Sequence, residues 1–260
     1  MSRRILTLLS TTALMALAVS LPAGQPIATG FLDRSITVDS ADYRYQVYVP
    51  RHYTSDVQWP VILFLHGAGE RGTDGLLQTE IGLGTALRRH PDRYPAIVVF
   101  PQAPAGSLWL GKVAALAMST LATTLQEFNC DPDRIYLTGL SMGGHGCWNL
   151  AYLHPQRFAA LVAICGWVAP NERHPEVIVP AEGGSPYDQI ARVIKDLPIW
   201  VFHGEVDPVV PVEGSRRMVA ALQAVGGTVH YTELPGVGHG SWDAAYQSPE
   251  LPAWLFEQSR

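Results

Sequence analysis

The chain has 260 residues, a formal net charge of −5 at pH 7 and 16% charged residues. It has no basic run and no basic patch interleaved with aromatics, so no nucleic-acid partner is expected. Three cysteines, Cys130, Cys147 and Cys165, are odd in number and too few for a disulfide scaffold; they read as small apolar core residues, with one pairing left open in an exported chain.

At the N-terminus, Arg3 and Arg4 precede apolar runs over 5–9 and 13–19, and small residues follow at Ala18, Ser20 and Ala23. That is the order of a secretory signal peptide, assigned to residues 1–23, and it implies a secreted or periplasmic protein. An uncleaved anchor is the alternative, but Ser10, Thr11 and Thr12 interrupt an apolar core that is already short for a span. No stable membrane association is expected after cleavage. The remaining residues, about 235, suit one catalytic domain over 30–260, with no repeat, low-complexity segment or linker.

Residues 35–39 and 43–49 alternate apolar and polar side chains, as antiparallel strands at a sheet edge do. Residues 61–65 form a continuous apolar run, which a strand covered by helices on both faces requires. Similar runs follow at 96–100, 134–138, 158–164, 199–202 and 228–233, and helical stretches at 76–89, 113–128, 143–153, 187–196, 212–225 and 249–257. Strand alternating with helix predicts an α/β fold with a mostly parallel, doubly wound sheet flanked by helices.

Between a strand and a helix stands Gly139-Leu140-Ser141-Met142-Gly143, a GxSxG pentapeptide in the setting of a nucleophile elbow. The turn is so sharp that the serine backbone is strained and its neighbours two residues away must be glycine. A serine hydroxyl is a poor nucleophile at neutral pH, so a base must take its proton and a carboxylate must orient the base. Both stand beyond later strands, in His203-Gly204-Glu205-Val206-Asp207-Pro208 and in Gly236-Val237-Gly238-His239-Gly240. Asp207 is assigned as the acid and His239 as the base; Glu205 is the competing acid, and the bland reading of His239 is a loop histidine in a glycine-rich turn.

Two N–H donors must meet the developing oxyanion. Met142, after the serine, is one, and Ala68, in the loop His66 to Gly72 after the 61–65 strand, is the other. His66 reads as structural. Glu70 and Arg71 are either an ion pair fixing the loop or solvated charges. The nine histidines show no HExxH or other ligand spacing, so no catalytic metal is expected.

Five motifs occur in order: HGAGERG over 66–72, Pro101-Gln102 with Trp109, DPDRIYLTGLSMGG over 131–144, HGEVDPVVP over 203–211 and GHGSW over 238–242. Through them the chain, over residues 40–258, resembles α/β-hydrolases of the phospholipase and carboxylesterase-like branch, a group of esterases and predicted peptidases. The resemblance implies an α/β-hydrolase fold and a serine hydrolase working without cofactor through an acyl-enzyme. Dienelactone hydrolases resemble this fold with a cysteine nucleophile, and Ser141 speaks against them. Many relatives insert a lid into the connection 166–197; here it is short, polar and punctuated by Pro175 and Pro180, so an open site with no large cap is expected.

Trp109, Trp167 and Trp242 follow strand ends on the catalytic edge and are expected to wall an apolar or aromatic acyl pocket, the alternative being ordinary core or rim aromatics. The expected function is hydrolysis of a small-molecule or polymer-borne carboxylic ester with a short or aromatic acyl group. One alternative is a prolyl-oligopeptidase-like peptidase, whose usual propeller or cap is not expected in this length. Another is a silent binding module on a hydrolase fold.

Overall fold

The computed structural model describes residues 27–170, 175, 177–179 and 184–260. The signal peptide assigned to 1–23 and most of the stretch 171–183 lie outside the described residues.

The strands are β1 (Gly30–Val38), β2 (Ala41–Val49), β3 (Trp59–Leu65), β4 (Ile97–Pro101), β5 (Cys130–Leu140), β6 (Ala160–Ile164), β7 (Ile199–Gly204) and β8 (Val229–Leu234). The helices are α1 (Leu83–Arg89), α2 (Gly111–Glu127), α3 (Met142–Leu153), α4 (Pro186–Ile194), α5 (Glu213–Ala224), α6 (Trp242–Gln247) and α7 (Glu250–Phe256). The strands form one sheet in the order β1-β2-β4-β3-β5-β6-β7-β8. β1 and β2 are the antiparallel edge, and β3 to β8 run parallel.

β3 shows why its sequence carries no polar alternation. Val61, Leu63 and Leu65 point to one face, into a core shared with α2, α3, α4 and α5. Ile62 and Phe64 point to the other, beneath α1, α6 and α7. All five are fully buried, and each such burial contributes about 1.5–3 kcal/mol. Because β3 and β5 to β8 are parallel, the loops at their carboxyl ends meet at one edge of the sheet, where α/β folds place their ligands.

Four elements differ from the sequence reading by more than two residues. The helix expected over 76–89 is a single turn at Leu77–Thr79 followed by α1. Gly82 stands between them at φ 55°, and a Cβ there would lie 2.6 Å from Leu140 and 3.1 Å from Tyr246. Strand β1 begins at Gly30 rather than at 35, and β5 at Cys130 rather than at 134. The short helix α6 has no counterpart among the expected elements. All three cysteines are free thiols, Cys147 and Cys165 buried.

Candidate active site

Ser141 joins β5 to α3 at φ 52° and ψ −116°, a region that costs a non-glycine residue free energy. Its N–H donates to Ile164 O at 2.9 Å, and its carbonyl accepts the His145 N–H at 3.0 Å, so the turn is anchored from both sides. The flanking glycines are required by space. A Cβ on Gly143 would lie 1.8 Å from Leu65 O, and one on Gly139 would lie 2.6 Å from Gly143 O.

Ser141 Oγ lies 2.9 Å from His239 Nε2, and His239 Nδ1 lies 2.7 Å from Asp207 Oδ2. Nδ1 faces a carboxylate and so carries the proton, which leaves the Nε2 lone pair for the serine hydroxyl. Asp207 Oδ1 accepts the N–H groups of Val209 at 2.8 Å and Val210 at 3.0 Å. Its side chain has no exposed surface. Burial pushes its pKa up, but the hydrogen bonds from His203, His239 and the two amides outweigh burial and hold it below the usual carboxylate range.

The β7 and β8 loops are locked together: Glu205 N–H donates to Leu234 O at 3.0 Å, and Val206 N–H to Val237 O at 3.1 Å. The competing acid, Glu205, is exposed and accepts the Gly236 N–H at 2.9 Å, so it braces this loop pair from outside.

Ala68 opens the 3₁₀ turn Ala68–Glu70, Met142 opens α3, and both line the same cleft as Ser141. An N–H at the first position of a helical turn has no partner within the turn, so it is available to an anion. His66 is structural. Its Nε2 accepts the Ala103 N–H at 2.9 Å, so Nδ1 is the protonated nitrogen and donates to Gly67 O at 2.6 Å; burial brings its pKa down to about 4. Glu70 and Arg71 form no ion pair. Arg71 instead donates to Ala68 O at 2.9 Å and Ser107 O at 3.2 Å, tying the two loops beside the cleft, while burial raises the pKa of Glu70.

The cleft holds about 540 Å³, and Trp167 and Trp242 line it. Trp109 does not. It is fully buried, donates its indole N–H to His66 O at 3.0 Å and packs against Gly146, where a Cβ would lie 2.4 Å from its own. Its neighbour Leu108 takes the place expected for it, with Ile81 and Val209 as further apolar lining.

Two residues near the triad escaped the sequence reading. His203 touches Asp207 Oδ2 at 3.2 Å; a spacing of four outside a helix carries no signal of that contact. Cys165 directly follows β6, at φ 40°. Its sulfur, a carboxylate oxygen of Asp207 and a ring nitrogen of His239 lie within 4.8 Å of one another. Burial pushes the thiol up to about 12, and the imidazole and carboxylate bind each other, so the set suits proton transfer better than an ion.

The family model described as prolyl oligopeptidase family (Peptidase_S9) matches residues 117–256, more than half of the chain. The chain is similar to acyl-protein thioesterase 1 of Gibberella zeae, 24% identical over 127 residues that make 49% of each protein. Among solved structures it is similar to a thermostable esterase, 37% identical with a TM-score of 0.77 over 88% of this chain and 63% of that one. A ferulic acid esterase of Anaeromyces mucronatus, in complex with ferulic acid, shares the fold at 17% identity, with a TM-score of 0.63 over 86% of this chain and 91% of that one. The chain thus spans about half the length of the thioesterase and under two thirds of the thermostable esterase.

Proposed function

The chain belongs to the prolyl oligopeptidase family and has the α/β-hydrolase fold, and from that premise we propose that it is a carboxylic-ester hydrolase with Ser141 as nucleophile, His239 as general base and Asp207 as orienting acid. One observation carries the reading: a continuous row of hydrogen bonds from Ser141 through His239 to Asp207, opening into a largely apolar cleft.

In this reading His239 Nε2 takes the Ser141 proton as Oγ attacks the ester carbonyl, and the N–H groups of Met142 and Ala68 meet the charge on the carbonyl oxygen. Collapse expels the alcohol, which receives its proton from His239, and leaves acyl-Ser141. Water, deprotonated by the same imidazole, then releases the acid and restores the serine. Asp207 stays ionised throughout, and its charge stabilises the imidazolium.

The acyl group is short or aromatic. Trp167 and Trp242 offer flat walls, and Ile81, Leu108 and Val209 make the rest of the lining apolar rather than a long trench. The Anaeromyces esterase, which shares the fold, is in complex with ferulic acid, an aromatic acid, and this supports the reading. Peptide hydrolysis is the second reading, favoured by the family match, since the same three residues cleave amides.

The test is kcat/KM for acetyl, butyryl, decanoyl and cinnamoyl esters beside a prolyl anilide, with a fluorophosphonate probe tying turnover to Ser141 through Ser141→Ala. The short or cinnamoyl esters are expected to lead. An anilide turned over as well as the best ester replaces this reading by the peptidase, and a decanoyl optimum rejects the acyl assignment. Export is proposed as well, supported by Arg3, Arg4 and the apolar runs that follow; full-length protein, still beginning at Met1, retained in the cytoplasm overturns it.

A further inference from the structure

Strand β7 carries a second histidine that the reaction above does not use. His203 is fully buried. Its Nε2 lies 2.9 Å from Val210 O and 3.2 Å from Asp207 Oδ2, and its Nδ1 lies 2.7 Å from Ser215 Oγ. Nε2 faces two acceptors and therefore carries a proton shared between them, while the Ser215 hydroxyl is placed to donate to Nδ1. Asp207 Oδ2 thus meets two imidazole N–H groups, His239 on the cleft side and His203 on the core side. Because the carboxylate has no exposed surface, water is not at hand to replace either donor.

We infer that His203 is a positioning residue for the catalytic acid: it holds Asp207 Oδ2 in the orientation that serves His239 and draws part of the carboxylate charge toward the core. This rests on the Ser141-His239-Asp207 reading and goes beyond it, since that chemistry needs only one imidazole. The rival explanation is that His203 fills space and satisfies Val210 O.

The two explanations separate by charge. Without the His203 donor, more of the carboxylate charge falls on the bond to His239, so the imidazolium is favoured and His239 becomes more basic. Turnover needs neutral His239, so the acid limb of the kcat/KM profile moves to higher pH. The other titratable group beside Asp207 is Cys165, whose thiol stays protonated across this range. Glu233, paired in register with His203 across the β7–β8 ladder, is held by Arg216 and Tyr231.

The experiment compares His203→Leu with His203→Gln, whose amide keeps an N–H near the Nε2 position, using p-nitrophenyl butyrate. The readouts are kcat, KM, the pH profile and the far-downfield proton resonance of His239 Nδ1–H. His203→Leu is expected to lower kcat roughly ten- to hundredfold with KM within about twofold, to raise the acid limb and to displace the resonance. His203→Gln is expected to recover most of each. Ser215→Ala, which frees Nδ1, moves the same readouts in the same direction by less, and decides the matter if the leucine variant does not fold. An acid limb that stays put in the folded variants, with leucine and glutamine equally impaired, overturns the inference. Fluorophosphonate labelling separates the two levels: an unlabelled wild type fails the triad reading, whereas a labelled wild type with an unmoved acid limb fails only the role of His203.

Discussion

The floor of the cleft and its walls are built on different terms. The floor is main chain against main chain: Gly139, Gly143, Gly144 and Gly166 each lie where a Cβ would come within 3 Å of neighbouring backbone. The walls are side chains carried on separate segments, Ile81, Leu108, Trp167 and Val209 on loops and Trp242 at the start of α6. Packed interiors relax only partially, so the floor fixes Ser141 and tolerates almost nothing. Loop side chains are exchangeable one at a time, so the walls are where substrate choice can vary without loss of the fold.

The harshest test of that contrast exchanges one glycine on each side. In Gly143→Ala the new methyl meets Leu65 O at 1.8 Å, Leu65 C at 2.5 Å and His66 O at 2.8 Å. These atoms belong to the last residue of β3 and the one after it, and Leu65 is held in register with Gly139 of β5. Loss of about 4 kcal/mol or more, or of soluble protein altogether, is expected. Gly69→Ala, in the cleft wall with nothing within 4 Å of its Cβ, is expected to change stability by no more than about 0.5 kcal/mol. Thermal midpoints decide it, and similar shifts in the two variants would abolish the distinction.

Next in size is a change that spares the packing and removes only charge. Asp207→Asn is expected to lower kcat by about 10⁴-fold while the protein stays folded, because the amide favours the wrong tautomer of His239. Glu205→Gln, on an exposed loop brace, is expected to be mild; the reverse result would make Glu205 the acid. The same variant has a pH signature. The folded pKa of Asp207 is depressed, so its stabilising contribution is complete above the unfolded value of about 3.9 and drains away as pH falls below it toward the folded value. Melts of the wild type between pH 6 and pH 2 should therefore fall more steeply than those of Asp207→Asn.

How much of this was legible beforehand follows from how local each cause is. The strands and the Ser141 turn could be read because an apolar run and a GxSxG turn are written within a few residues, and Asp207 and His239, which hydrogen bonds join to Ser141, because each stands just beyond such a run. The break at Gly82 could not, since the atoms that leave no room for a Cβ there belong to Leu140 and Tyr246, distant in sequence. Trp109 was assigned to the correct edge but the wrong side of it: strand ends fix the edge, whereas the ring turned inward to a carbonyl 43 residues earlier. Arg71 was read against its neighbour Glu70, yet two backbone carbonyls took it. His203 and Asp207 sit four apart outside any helix, so their contact exists only once the turn after β7 has folded.

The smallest expected effect tests the wall itself. Trp242 stands edge-on to His239, ring centroids 5.4 Å apart and planes at 90°, so Trp242→Ala both opens the wall and loosens the base. The two consequences separate by substrate. An acetyl group is too short to gain much from the wall, so acetyl turnover reports the looser imidazole, while the cinnamoyl-to-acetyl ratio of kcat/KM reports the lost aromatic face. An aromatic contact contributes about 0.5–1.5 kcal/mol, so that ratio is expected to fall roughly two- to tenfold. Trp109→Phe is the matched control: it deletes the hydrogen bond to His66 O and should cost about 1 kcal/mol of stability, with the ratio unchanged because the ring does not reach the cleft. A ratio that moved with Trp109 and not with Trp242 would return the pocket to the tryptophan that the core now claims.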